Sequence, residues 1–142
     1  MKKLFLIFSV CITLSLQAMA DIVVIINSNN TTVWERETAR AEIKSIFLGA
    51  KEKFSNGNSA KPIDQSEGKE IRKEFYLKIA NKDATAMNIY WSNLIFTGNG
   101  RPPKILPDDS SIKKFVNENV GGIGYIDSTS VDNTVKVLEI FK

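Results

Sequence analysis

The segment Asp21-Ile-Val-Val-Ile-Ile-Asn27 decides the fold class. Its β-branched apolar residues follow one another without polar alternation, which is typical of a strand that is covered on both faces, as in α/β sheets. The segment Asn27-Ser-Asn-Asn30 then ends this strand. We interpret it as a strand-end loop, and a polar rim around a ligand is the alternative.

A helix is predicted after this strand. From about Thr38 the apolar residues Ala39, Ile43, Ile46 and Phe47 follow three-four spacing. Gly49 comes next, in a position suited to a left-handed C-terminal cap.

The rest of the chain continues to alternate between strand and helix patterns. We expect a short strand at 60–64, which Pro62 would place at a sheet edge, and then a helix that Ser66 caps and that buries Ile71, Phe75 and Ile79. Further helices are predicted at 85–94 and after 108–111, and further strands within 120–126 and at 135–141. This order predicts one domain, residues 21–142, folded as an α/β sandwich around a central mixed sheet.

Residues 1–20 have the pattern of a secretory signal peptide. Lys2 and Lys3 precede an apolar run of about thirteen residues, and Ala18-Met-Ala20 supplies the small residues of a cleavage site. A membrane anchor is the alternative, but the run is shorter than the roughly 20 residues that a spanning helix needs. We therefore expect cleavage after Ala20, no membrane span in the remaining chain, and a periplasmic or secreted protein.

Composition excludes several kinds of site. The chain has no histidine, so neither an imidazole base nor a histidine-ligated metal can form. Its one cysteine, Cys11, lies within the leader, so residues 21–142 cannot form disulfides. The paired acids Asp108 and Asp109 stand beside serines and resemble the start of a helix more than a matched acid and base. We expect no enzyme activity, no cofactor and no metal.

Charge argues against nucleic-acid binding. The net charge is +3, and it falls to +1 when Lys2 and Lys3 leave with the leader. The remaining lysines and arginines alternate with acidic residues instead of clustering on one face.

Several segments, taken in order, resemble a known family. They are Ile46-Phe-Leu-Gly49, Phe54-Ser-Asn-Gly57, Ile63, Arg72-Lys-Glu-Phe75, Tyr90-Trp91, Phe96-Thr-Gly-Asn-Gly-Arg-Pro-Pro103 and Gly121-Gly-Ile-Gly-Tyr-Ile126. The set is similar to short, single-domain relatives of the phosphate-type periplasmic binding proteins, which are the substrate-binding components of ABC importers. This resemblance implies a fold like a single lobe of those two-lobed proteins.

The resemblance also implies an anion site at a helix start. In the family a Ser-Gly-Thr segment helps to hold phosphate, whereas this chain has Ser66-Glu-Gly-Lys69 there, with Glu67 and Glu70 close by. The candidate ligand-binding residues are Ser66, Gly68, Lys69, Arg72, Thr97, Gly98, Asn99 and Arg101.

Each candidate also has a structural interpretation. We favour Ser66 as a plain helix cap and Arg72 as the partner of a nearby glutamate on an exposed helix face. The segment 97–103 is either a ligand loop, with Thr97 and Arg101 as donors, or a rigid turn. Tyr90 and Trp91 are interpreted as core residues, with an aromatic wall for a partner as the alternative.

Two functions remain open from the sequence. The first is an exported solute-binding-like module that recognises phosphate or another small oxyanion for an ABC importer or sensor, with a permease as partner. The second is an envelope interaction or assembly protein that reuses one binding-protein lobe. Because one lobe encloses only part of an anion, we also expect any ligand to lie between two copies of the chain in a homodimer.

Overall fold

The computed structural model describes residues 20–142 and forms two helical layers around one sheet. The leader expectation for residues 1–20 falls almost wholly outside the described residues. Within 20–142, no helix has the length and apolar character needed to cross a membrane. The elements in chain order are β1 (Ile22–Asn27), α1 (Arg36–Phe47), β2 (Lys61–Gln65), α2 (Glu70–Ala80), α3 (Ala84–Phe96), β3 (Lys104–Leu106), α4 (Asp109–Glu118), β4 (Gly122–Asp127) and β5 (Val135–Phe141).

The sheet is mixed, with strand order β3-β2-β4-β1-β5. Strand β1 runs antiparallel to both of its neighbours, β4 and β5, whereas β2 runs parallel to β3 and β4. Every residue of β1 is buried, as its uninterrupted apolar pattern predicted. The predicted fold class, an α/β sandwich with a central mixed sheet, is confirmed.

Each face of the sheet carries its own apolar core. Helices α1, α2 and α3 cover one face, and helix α4 covers the other. The first core includes Ile43, Phe47, Phe75, Tyr125 and Trp91, with the rings of Phe75 and Tyr125 stacked 3.8 Å apart. Trp91 is therefore a core residue, as expected, and Tyr90 packs at its margin while donating a hydrogen bond to the Leu48 carbonyl at 2.5 Å.

Glycines allow β4 to approach its neighbours closely. A Cβ on Gly124 would lie 2.6 Å from Ile112 Cγ2 on α4, and one on Gly121 would lie 2.1 Å from the Ser59 carbonyl oxygen. The same backbone at Gly121 accepts a hydrogen bond from Lys61 N at 2.7 Å, which aligns the start of β2 with β4. The glycine-rich segment is thus a packing device for the sheet.

One local expectation needs correction, and two other features were not predicted. Pro62 does not mark an edge strand, because β2 lies between β3 and β4. Pro62 pairs with β4. The pairing of β2 with β3 starts at Ile63, so β3 does not reach Pro62. The three-residue strand β3 was not predicted at all. The segment after β1 is a strand-end loop, but the burial of Asn27 and Asn30 was not predicted; their amides donate to the carbonyls of Val116, Asn117 and Val120 near the end of α4.

Candidate functional site

Asp64, near the carboxyl end of β2, is the centre of a buried polar cluster. The side chain of Asp64 is almost wholly inaccessible. Its Oδ2 accepts hydrogen bonds from Tyr76 Oη at 2.8 Å and Arg72 Nε at 3.2 Å. Its Oδ1 accepts a bond from Gln65 N at 2.8 Å and another from the Tyr125 hydroxyl. Four donors on three elements therefore fix this carboxylate.

Arg72 belongs to the buried face of α2, which corrects the expectation of an exposed intrahelical pair. It shares that face with Phe75, Tyr76 and Ile79, and only 7% of the residue is exposed. An exposed pair with a glutamate does exist on this helix, but Lys73 makes it, with Glu70 at 2.8 Å. The helical repeat points Arg72 toward the sheet, where Asp64 neutralises its charge.

The guanidinium of Arg72 keeps part of its donor capacity. Within residues 20–142 only Nε donates to a protein group, while the carbon Cζ lies 5.3 Å from the centre of the Tyr76 ring. An arginine has five N–H donors, so its terminal nitrogens remain available to a ligand. The two cavities that Arg72 lines give them access to solvent.

The charge state of this cluster follows from its burial. Burial raises the pKa of Tyr76 and of Tyr125 well above the usual value, and the Asp64 carboxylate raises both further. Burial alone would lower the pKa of Arg72, but attraction to Asp64 and neighbouring groups raises it. The cluster therefore combines the Arg72–Asp64 ion pair with two phenols that keep their protons at neutral pH.

A basic notch lies beside Arg72, at the start of α2. We use this name for the small cavity lined by Gly68, Arg72, Lys73, Tyr76, Lys82, Asp83, Ala84 and Met87. Gly68 has a φ of +84°, which places a left-handed turn directly before the helix. Of the described residues that line the notch, Asp83 is the only acid, and its Oδ1 already caps α3 by accepting from Ala86 N at 2.8 Å.

Two of the predicted anion residues lie outside this notch. Ser66 does not cap α2, because the helix begins at Glu70 and Lys69 occupies the cap position without a side-chain cap. The Ser66 carbonyl instead accepts from Lys69 N at 3.3 Å in the turn around Gly68. The amine of Lys69 reaches away to the Pro107 carbonyl. Of the four candidates near the start of α2, which are Ser66, Gly68, Lys69 and Arg72, only Gly68 and Arg72 line the notch.

The remaining candidates, at 97–101, follow α3 directly, and Thr97 is its C-terminal cap residue. Thr97 Oγ1 donates to the carbonyls of Asn93 and Leu94 at 2.9 and 3.3 Å. The backbone amides of Thr97, Gly98 and Asn99 also donate to carbonyls of the last helical turn. A helix C-terminus carries partial negative charge, so these donors serve the helix end.

Arg101 is exposed and lines an open cleft of about 590 Å³ with Gly98, Asn99, Lys51 and Glu52. Ala60 and Pro62 also line this cleft, so it lies near the amino end of β2. Arg72 lies near the other end of that strand, beside Asp64. The two arginines line different cavities.

The sequence interpretation missed the residues that organise this site. Asp64, Tyr76, Tyr125 and Lys82 were not singled out. The available signals were an acid directly after the apolar Ile63 in a predicted strand, and a tyrosine four residues after Arg72 on the same helix face.

The paired acids Asp108 and Asp109 have structural partners. Asp108 caps α4 by accepting from Ser111 N at 2.7 Å, as its place at the helix start predicted. Asp109 accepts from Gln65 Nε2 and Ser130 Oγ, each at 2.8 Å. Among residues 20–142, no cluster of three or more acids, cysteines or histidines is arranged to hold a metal ion.

Comparison with known proteins identifies the fold. No family model matches the chain, and no curated protein matches it. Among solved structures, the chain is similar to an ABC-type phosphate transport receptor from Vibrio cholerae, with a TM-score of 0.63 and 17% identity over 84% of this chain and 46% of that one. It is also similar to a protein from Clostridium perfringens, described as a phosphate ABC transporter substrate-binding protein with bound phosphate, with a TM-score of 0.64 and 20% identity over 84% of this chain and 45% of the other.

The chain therefore shares its fold with part of these phosphate-receptor structures, and it spans a little under half of their length.

Proposed function

We propose that this protein is an exported solute-binding-like module that recognises a small oxyanion, with phosphate the first candidate, for an ABC importer or a sensor. The observation that carries the proposal is the shared fold with two structures described as phosphate receptors, one of which holds phosphate. One is described as a transport receptor and the other as a substrate-binding protein, which favours binding over catalysis.

The basic notch supplies the chemistry that an oxyanion needs. Arg72, Lys73 and Lys82 line it together with the turn at Gly68, and the first turn of α2 begins beside it. The first N–H groups of a helix have no partner within the helix, and its dipole favours negative charge there. A terminal nitrogen of Arg72 adds a directional donor.

The proposed binding is shallow. The notch encloses only about 10 Å³, so most of a bound oxyanion would stay in contact with water. Glu70 lies near the helix start but is paired with Lys73, which limits its repulsion, whereas Glu67 is exposed on the neighbouring turn. Contacts in a high dielectric are weak, so we expect millimolar or high-micromolar affinity that falls with added salt.

Calorimetric titration with phosphate and sulfate at low ionic strength tests the proposal. We expect heat from the unmodified protein and a several-fold weaker response from Lys82→Met. Lys114→Met is the matched control, because Lys114 is an exposed lysine on α4, which covers the opposite face of the sheet. No heat with millimolar ligand, or equal losses in the two variants, would exclude this oxyanion site.

The open edge of β5 favours a second candidate function, an envelope interaction or assembly module. Within the described part of the chain, strand β5 ends the sheet, and Val137 and Ile140 are exposed on it. An unpaired strand edge with apolar side chains accepts a partner strand. In this case the protein should retain one defined envelope partner, and Ile140→Lys should lose it while anion titration gives no heat.

A further inference from the structure

Helix α3 presents an unusual surface for a helix on the outside of a domain. None of its 13 residues is charged, although each of the other three α-helices in residues 20–142 carries several charges. Only Met87 and Trp91 of α3 are buried. The exposed fractions of Ile89, Ile95 and Phe96 are 58%, 56% and 93%. A nearly bare phenyl group beside two exposed isoleucines leaves an apolar area of the kind that marks an interaction site.

A groove of about 240 Å³ lies next to these side chains, between α3 and β3. Its apolar walls are formed by Trp91, Ile95, Pro102, Pro103 and Ile105, and Ser92 and Asn88 lie along its helical side. Phe96 follows Ser92 by one helical turn, so it lies on the same side of α3 as the groove. A cavity of about 150 Å³ is enough to admit benzene, so this groove has room for one phenyl ring.

We propose that a second copy of this chain covers α3, with the two helices related by a two-fold axis and the Phe96 ring of each copy seated in the groove of the other. A surface that carries both a protruding ring and a groove of suitable size is complementary to itself, which is what a two-fold interface requires. An aromatic anchor in a partner's pocket is also the usual form of an interface hot spot.

The charge distribution selects a second copy over a charged partner. An uncharged helix offers no ion pair to an acidic or basic protein, and it opposes its own copy without like-charge repulsion. The groove does contain Arg72, but Asp64 pairs with that guanidinium at 3.2 Å. Among the residues that the structure describes, Glu67 is then the one charge lining the groove without an ion-pair partner.

Sedimentation velocity of the purified protein over about 1 to 100 µM, without added anion, tests this inference. We expect a reversible monomer–dimer equilibrium. Phe96→Ser should weaken it at least 10-fold, because each of the two copies loses a buried phenyl group. Ile89→Lys should weaken it as well, because it places like charges opposite each other. Both positions are exposed, so the melting temperature of the monomer should stay within a few degrees.

Val33→Ser is the matched control, because Val33 is 77% exposed but lies in the loop before α1. It should leave the equilibrium unchanged. A protein that remains monomeric over the whole range, or a dimer that survives both α3 variants, overturns the inference. Neither result bears on oxyanion binding, since the dimer is measured without ligand and the basic notch is tested by titration of Lys82→Met.

Discussion

Replacement of Arg72 by Met tests the buried cluster most directly. The change keeps most of the apolar length of the side chain but removes the positive charge that faces Asp64 at 3.2 Å, where the side chains are 9% and 2% exposed. Removing one partner of a buried pair leaves the other charge uncompensated, which costs about 3–5 kcal/mol of the free energy of unfolding. Stabilities of domains are about 5–15 kcal/mol, so this single change removes a large share.

Lys73→Met is the control at the next position in the same helix. Lys73 also makes an ion pair, with Glu70 at 2.8 Å, but those side chains are 45% and 69% exposed. An exposed helix pair contributes about 0.5 kcal/mol or less. Both variants lose one positive charge, so the comparison separates burial from net charge.

Urea unfolding followed by tryptophan fluorescence measures the difference. With a slope of about 2 kcal/mol/M, Arg72→Met should lower the midpoint by roughly 1.5–2.5 M, and Lys73→Met by less than about 0.5 M. If Arg72→Met fails to fold, Tyr76→Phe tests the same cluster more gently: it removes one hydrogen bond to Asp64 and should cost about 1.5–3 kcal/mol. Equal urea midpoints for Arg72→Met and Lys73→Met would show that the ion pair between Arg72 and Asp64 does not stabilise the fold.

Two further predictions concern packing and alkaline pH. Gly121→Ala should lower the free energy of unfolding by about 1–3 kcal/mol, because its Cβ would meet the Ser59 carbonyl at 2.1 Å, whereas Gly100→Ala, with no atom closer than 3.6 Å, should change it by less than about 0.5 kcal/mol in thermal melts. The raised pKa values of Tyr76 and Tyr125 keep both phenols protonated in the folded protein, while the unfolded chain loses these protons near pH 10. Their contribution to stability is therefore constant below about pH 10 and falls above it by up to about 1.4 kcal/mol per pH unit for each tyrosine. Tyr76→Phe should reduce that alkaline slope in urea titrations, and an unchanged slope would contradict the assignment.

Local patterns in the sequence predicted most of the helices and strands. The apolar run of β1 and the caps and spacing of α4 are properties of adjacent residues, and the structure has both elements where they were predicted. Pairing depends on residues far apart in sequence, and there the prediction failed. Pro62 is typical of an edge strand when only its missing N–H is considered, but β4 and β3 lie on either side of β2. The three residues of β3 are too few to show a period.

The site was harder to predict because burial reverses the usual behaviour of a charged residue. An arginine near glutamates on a helix is normally a surface residue, and that general tendency outweighed the helical repeat that places Arg72 with Phe75 and Ile79. The repeat was the better guide, because an acid in the adjacent strand makes the buried position tolerable. Asp64 could be recognised as that acid only once β2 and α2 were known to pack together.

Helix polarity decides between the two groups of candidate anion residues. The loop at 97–101 has glycines, a hydroxyl and an arginine, but the donors of Thr97, Gly98 and Asn99 bond to carbonyls at the end of α3, where the dipole opposes an anion. The basic notch lies at the amino end of α2, where the dipole attracts one. Arg72 pairs with Asp64 there, and Lys73 pairs with Glu70. Lys82 is then the one cation of the notch without an ion-pair partner among residues 20–142. Affinity for an oxyanion should therefore depend on the charge of Lys82 more than on the charge of Arg72 or Lys73. Arg72 would orient the oxyanion through the N–H groups that it does not donate to Asp64.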